Sequence, residues 1–497
     1  MLPTSRIARF SLWMAVVWVA TFWRLSYLPL LDPDEAHYAE ITREMRRLGD
    51  YVVSRMDGVP LIDKPALFHW IQAGSFSVFG ETELGARLPT ALAALVLLWI
   101  TYWLGKRLFG AHTGERAALM LALTPLTFAL SRFAYFDMIF TACLFGAIAL
   151  LAVAAKEQRR AWQIPGFVLL SLSAQIKGPF VFIVFVGAAL LAALSKDTRV
   201  YLKRIAWIPG LIGAGVLALP WFLLMWQRFG DAFIRDYVLY NNVQLFAAPL
   251  YRKSFHPFFY FRSGAAALFP WSLILIGAAV EAINAWRHRR AALAMEPRRV
   301  ILWAWTITVF VFFSASRFKL DHYIYPIAPA VCLLVADMWQ RSHAKWTRAW
   351  WPLVGALVLL YATAVQVGLP YLDSTRPGAR LGMWLSTQVA PDDHIIIFKQ
   401  GRWKASLRYY ADHNVQQTTF DNELIDAWRM PKRVYGVMVE KDLQVLRDAG
   451  LPFRIVHTQP AAIGNTGKII RTQIWGDVLV VTNEAPSPLA SARSGGL

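Results

Sequence analysis

A succession of apolar runs, most of them about the length that crosses a bilayer as a helix, constrains this chain more than any other feature. The first run extends from Phe10 to Leu31, and others are centred near Leu95, Leu121, Ile148, Leu169, Val184, Val216, Leu273, Val309, Val331 and Leu357. At about 20 residues per crossing they predict a polytopic α-helical membrane protein with about 11–13 transmembrane helices. The stretches 162–176 and 179–194 are short enough to tilt or to re-enter. Only 17% of the 497 residues are charged and 57% are hydrophobic. A soluble domain carries about 25% charged residues, so that class is excluded. Phe10–Leu31 is too long for the apolar core of a signal peptide, is interrupted by Arg24, and has no small-residue cleavage site after it.

The net charge of +19 does not point to nucleic acid, because the cations fall in short clusters between the apolar runs. Lys106/Arg107/Arg116, Lys156/Arg159/Arg160, Lys196/Arg199/Lys203/Arg204, Arg287/Arg289/Arg290/Arg298/Arg299 and Arg341/Lys345/Arg348 alternate with more acidic or neutral loops. The positive-inside rule puts those clusters in the cytoplasm. It puts Leu31–Pro89, Ser131–Asp137, the Lys177 turn, Gln227–Pro257 and Ser314–Tyr323 outside. The membrane region is read as 1–370. From about Tyr371 the composition shifts to short strand and helix signals: His394–Phe398, Arg433–Val439, Phe453–His457 and Asp477–Thr482 as strands, Asp442–Ala449 as a helix. This predicts a small C-terminal α/β domain, 371–483, on the outer side, followed by a disordered tail, 484–497, rich in Ser, Ala, Pro and Gly.

The outward loop 31–89 carries three carboxylates in four residues, Asp32, Asp34 and Glu35, and thirty residues later Asp63-Lys64-Pro65. Asp34 opens a helical pattern, with Ala36, Ala39, Ile41 and Met45 on the apolar side. Either Asp32 or Asp34 would serve as its N-cap. One cap needs one carboxylate, however, and the surplus suits a general base at the membrane boundary. Lys64 is either a snorkelling interfacial lysine or a cation that holds a phosphate. Other outward cations run against the positive-inside bias: Lys177 before Gly178-Pro179, Arg252 and Lys253 before His256, Arg317 and Lys319 before Asp321-His322-Tyr323. An anionic ligand on the outer face accounts for them. Asp137, in SRFAYFDMIF, is an acid at the edge of an apolar run and a functional candidate, with a structural pair to Arg132 as the alternative. His256 and His322 show no spacing that specifies a metal site. Cys143 and Cys332 both lie in apolar runs and suggest no disulfide framework.

PDEAHYAEITREM, GDYVVSRMDGVPLIDKPALFHW and GARLP, followed in order by SRFAYFDMIFT, IKGP, HPFFYF…LFPWSL and SRFKLDHYIYPIAPA, resemble the polyprenyl-phosphate-dependent membrane glycosyltransferases. In particular they are similar to the lipid A aminoarabinose transferases and their relatives in the protein O-mannosyltransferase clan. The resemblance implies a C-type glycosyltransferase fold in the bacterial inner membrane, multi-pass, with the active site facing the periplasm. It implies inverting transfer of a sugar, such as 4-amino-4-deoxy-L-arabinose, from a polyprenyl phosphate donor to lipid A or another periplasmic acceptor, lipid or protein. Protein O-mannosyl transfer, and a transporter or flippase of polyprenol-linked sugars, are the alternatives. By motif position Asp34 matches the catalytic aspartate, Asp137 the second loop acid, and Lys64 the donor-phosphate lysine, with Arg252 and Arg317 or Lys319 assisting. Glu35, Tyr38, His256, His322 and Tyr323 are expected in the substrate pocket. No cofactor is required; a divalent metal is compatible but not demanded, because positioned cations can neutralise a departing phosphate. Three departures stand out: Asp63 where the pattern has Glu, Ala66 where it has a second Pro, and Leu245 where an Arg is common. The C-terminal domain is also short.

Overall fold

The computed structural model describes residues 6–248, 258–276, 296–341, 344–374, 376–460 and 477–483. Arg252, Lys253, His256 and the C-terminal tail 484–497 lie outside them. The chain divides into two compact units: Met1–Leu25 with Glu44–Thr363, and Ser26–Arg43 with Ala364–Leu497.

The first unit is helical. Among the described residues five helices are long and apolar enough to cross a membrane: Glu83–Leu108, Phe136–Glu157, Trp207–Phe229, Pro297–Ala315 and Ala349–Ser374. Ser11–Phe22 and Phe180–Ala192 are shorter apolar helices. Several expected crossings are thus broken pieces, and Pro and Gly do the breaking. The run near Leu121 stops at Ala122 and restarts at Pro125; the run near Leu169 ends at Lys177, where Gly178 turns with φ +115°. Phe136–Glu157 is the inner helix, buried along nearly its whole length, and it packs on Gln163–Lys177 and Glu83–Leu108. Gly105 and Gly114 let Glu83–Leu108 and Ala111–Ala122 approach closely. A Cβ on Gly114 would lie 2.5 Å from the Tyr102 carbonyl oxygen, the small-residue packing usual between membrane helices. Outward positions such as Trp99, Ile208 and Leu359 are large, apolar and exposed, as a lipid solvent requires. The chain is a polytopic membrane protein. Between the helices Asp34–Leu48 and Leu67–Phe79 a hairpin, β1 (Ser54–Met56) and β2 (Val59–Leu61), turns at Asp57-Gly58, both with positive φ.

The second unit is built on a five-stranded sheet, order β4-β3-β5-β7-β6, of β3 (His394–Phe398), β4 (Val415–Thr418), β5 (Val434–Val439), β6 (Arg454–Gln459) and β7 (Val478–Thr482). β3 runs parallel to β4 and β5, and β7 antiparallel to β5 and β6. The run 395–398 of β3 is continuously apolar because both faces are covered. Ile395 and Ile397 pack with Leu381, Leu385, Trp403 and Leu407, while Ile396 and Phe398 pack with Leu424, Trp428, Leu443 and Leu446. Ser26–Arg43, carrying the acidic turn, belongs to this unit although it precedes the sheet by some 350 residues.

Candidate functional site

Asp32, Asp34 and Glu35 have three different roles. Glu35 is fully buried and its carboxylate accepts the Leu31 N–H at 2.9 Å, bracing the turn that leads into the helix Asp34–Leu48. Asp32 is not the cap. Its Oδ1 accepts the Ser406 N–H at 2.8 Å, its Oδ2 accepts the Ser406 hydroxyl, and its carbonyl accepts from Arg376 at 3.2 Å. Burial pushes the Asp32 carboxyl up to about 6, against the opposing pull of the Ser406 hydrogen bonds and the Arg376 charge. Asp34 is half-buried in the first turn of its helix, where the macrodipole favours an anion. No hydrogen bond or ion pair holds its carboxylate among the described residues. Farther along, Glu40 pairs with Arg43 and with Arg408 (3.2 Å), and Arg43 donates to the Tyr409 carbonyl at 2.8 Å. Tyr38 is half-buried on the same helix, its ring 5.8 Å from His37.

A separate cluster forms in the first unit. Asp137, 4% exposed, is the second residue of Phe136–Glu157, and Lys177 is the last residue of Gln163–Lys177. An acid at a helix N-terminus and a cation at a helix C-terminus both suit the macrodipole. Their side chains meet at 2.5 Å, and His322 Nε2 lies 3.6 Å from the other Asp137 oxygen. The Lys177 ammonium also sits 5.0 Å from the Phe140 ring and 4.9 Å from the Tyr323 ring. His322 stacks on Tyr135 and meets Tyr323 edge-on. Lys64 lies 3.0 Å from Asp63 and 5.5 Å from the ring of Phe136, the residue before Asp137. Its charge is felt by both Asp137 and Lys177. The structure thus gathers Lys64, Asp137, His322 and Tyr323 of the expected set and adds Lys177. The Asp137–Lys177 pair is buried. The Asp63–Lys64 pair, by contrast, is half exposed.

Two expectations take a different form. Asp137 pairs with Lys177 rather than Arg132, which instead donates to the carbonyls of Val19, Ala20 and Trp23 at the end of the first helix. Lys319 donates to the carbonyls of Phe313, Ser314 and Ser316, closing the C-terminus of Pro297–Ala315. Sequence reasoning did not find Ser406, Arg376 or Tyr410, because no local signal links them to residues hundreds of positions earlier. Among the described residues no group of three or more His, Cys, Asp or Glu side chains is arranged to hold a metal.

Residues 63–226 match a family model described as dolichyl-phosphate-mannose-protein mannosyltransferase. The chain is 28% identical over 342 residues to the undecaprenyl phosphate-alpha-4-amino-4-deoxy-L-arabinose arabinosyl transferase of Yersinia enterocolitica, covering 66% of this chain and 60% of that protein. It is 26% identical over 358 residues to the Aeromonas hydrophila protein of the same name, covering 70% and 64%. It therefore spans a little under two thirds of these relatives' length. The crystal structure of ArnT from Cupriavidus metallidurans bound to undecaprenyl phosphate superposes with a TM-score of 0.78 at 20% identity, covering 97% of this chain and 99% of that one. The two chains share one fold.

Proposed function

We propose that this relative of the polyprenyl-phosphate-dependent membrane glycosyltransferases is itself such an enzyme. It moves a glycosyl group, 4-amino-4-deoxy-L-arabinose by analogy with its relatives, from undecaprenyl phosphate to lipid A. In this reading the acceptor oxygen attacks the anomeric carbon, the bond from that carbon to the phosphate oxygen breaks, and the configuration inverts. Asp34 takes the acceptor's proton, and polyprenyl phosphate leaves with its charge held by Lys64. A phosphate is already a good leaving group, so a placed cation can serve where a general acid would otherwise be needed. No step draws on a metal, and transfer is expected to survive a chelator. Asp137, Lys177 and His322 form the fixed frame beside Lys64. The acidic turn faces the periplasm of a bacterial inner membrane, as the alternation of basic loops supports.

The observation that carries the reading is the Asp34 carboxylate, which has no hydrogen bond or ion pair among the described residues while Asp32 and Glu35 on either side are engaged. A cap needs only an oxygen acceptor, and Asn caps about as well as Asp; a base needs an ionisable group. The test is mass spectrometry of lipid A from cells carrying the wild-type gene, no gene, or Asp34→Asn. Aminopentose-modified lipid A should appear only with wild type. Modification at wild-type level with Asp34→Asn would remove Asp34 as the base. Unmodified lipid A together with gene-dependent glycosylation of protein would move the acceptor to protein.

A further inference from the structure

The segment leading to Asp34 is held by residues 344 to 380 positions later in the same compact unit. The Leu30 N–H donates to the Tyr410 hydroxyl at 2.7 Å, Arg376 donates to the Asp32 carbonyl at 3.2 Å, and Ser406 donates to both Asp32 carboxylate oxygens. Gly378 leaves the space for this clasp. A Cβ there would lie 2.3 Å from Ser406 Oγ and 3.2 Å from Asp32 Oδ2. Past the turn, Arg408 and the Tyr409 carbonyl hold Glu40 and Arg43. The helix start is therefore fastened on both sides, and the clasp makes its contacts at Leu30, Asp32, Glu40 and Arg43 rather than at Asp34.

Such an arrangement is more than packing requires. Placing a carboxylate against a serine in a partly buried site costs free energy that an apolar side chain would not. What the polar clasp supplies is direction: hydrogen bonds to Leu30 N–H, Asp32 C=O and both Asp32 oxygens fix where the main chain enters the helix. Only Pro33 separates Asp32 from Asp34, and its ring removes one soft dihedral between them. Orientation fixed at Asp32 is passed on to the next carboxylate.

We infer that Ser406, with Arg376 and Tyr410, is a positioning residue for glycosyl transfer: the sheet-bearing unit sets the aim of Asp34 through a clasp on Asp32. The inference rests on Asp34 being the base. It makes the C-terminal unit part of the catalytic apparatus without placing any of its sheet residues against substrate.

The experiment uses the full chain reconstituted in lipid, with transfer rates measured across donor concentration and a melting midpoint for each variant. Ser406→Ala should lower kcat on the order of tenfold to a hundredfold, the usual cost of a misplacement of about 1 Å. Its KM for the donor should change by less than about twofold. Gly378→Ala should reproduce that split, although it removes no polar group. Asp32→Asn, which keeps an acceptor for the Ser406 N–H, should retain at least about a third of the rate, whereas Asp32→Ala should behave like Ser406→Ala. The Ser406→Ala/Asp32→Ala pair should be no worse than either change alone. Where a variant melts early, rates are compared about 15 °C below its midpoint, and recovery of wild-type kcat there would overturn positioning in favour of stability alone. Wild-type kcat in both Ser406→Ala and Gly378→Ala, with Asp34→Asn inactive, would sink the clasp and leave the base standing. An active Asp34→Asn would sink both.

Discussion

Lys64→Met tests the donor half of the mechanism, because methionine keeps an unbranched stem and removes the ammonium. The Lys64 ammonium lies 3.0 Å from Asp63, and the two side chains are 32% and 42% exposed. A pair that exposed contributes less than about 1 kcal/mol to folding, and the Phe136 ring at 5.5 Å adds about 0.5–1 kcal/mol. The fold should therefore tolerate the change. A hydrogen bond from an ammonium to a phosphate is worth more, on the order of 1.5–3 kcal/mol. Asp63 already satisfies part of the Lys64 charge, so the lower half of that range, about 1.5–2 kcal/mol, is the expected loss. At 1.36 kcal/mol per decade this is about a 12- to 30-fold fall in kcat/KM for the donor. Asp63→Asn removes the competing carboxylate and should leave kcat/KM equal or higher. The assay is initial-rate transfer in lipid against donor concentration, with a melting curve as control. Lys64→Met within twofold of wild type at an unchanged midpoint would refute the assignment of Lys64 to the phosphate.

Three further outcomes are expected. Lys177→Met strands the buried Asp137 carboxylate and should destabilise the protein by about 3–5 kcal/mol; adding Asp137→Asn should recover most of that, and equal heat loss of single and double variants in detergent would deny the pairing. Asp32 binds its proton more tightly folded than unfolded, its carboxyl raised from 3.8 to about 6, so its contribution to stability is present below about pH 3.8 and lost as pH rises through 6. Asp32→Asn should accordingly melt higher than wild type at pH 7–8, by up to roughly 3 kcal/mol, and show no such advantage near pH 4; the same offset at both pH values would refute the burial account. Finally, an alkaline phosphatase reporter fused after Leu372 should be active as a periplasmic enzyme, and a cytoplasmic signal would reverse the placement of the C-terminal unit.

Much of the fold was legible because burial leaves a mark on composition. After His394, β3 is apolar at every position since helices cover both its faces, and the strand was read to the residue. VQQT in β4 was missed because a half-polar strand of four residues carries almost no periodicity. The Asp57-Gly58 turn was missed although its residues suit positive φ, as a hairpin turn of this kind demands. Span boundaries were the weakest reading. Hydropathy sees an apolar run but not the interruption at Pro125 that ends one helix and starts another, whereas the short runs on either side of Gly178 were visible as such.

The site divides along the same line between local and distant information. That Asp34 begins a helix follows from the residues after it, and the structure starts the helix there. That Asp137 needs a cation follows from its setting, but Arg132, five residues away, was only the nearest choice in sequence. The chain instead brings Lys177 from 40 positions on, since a helix starting at Phe136 and another ending at Lys177 present opposite dipole ends to each other's charge. Lys319 was visible as an outward cation, yet nothing local reveals that three carbonyls at the end of a helix accept from it. The surplus of carboxylates at Asp32, Asp34 and Glu35 was the one local sign of a distant partner. A helix start needs one acid, and a turn brace can use a second. A third acid, pushed toward neutrality by burial, is costly unless something meets it, and Ser406 is what meets it.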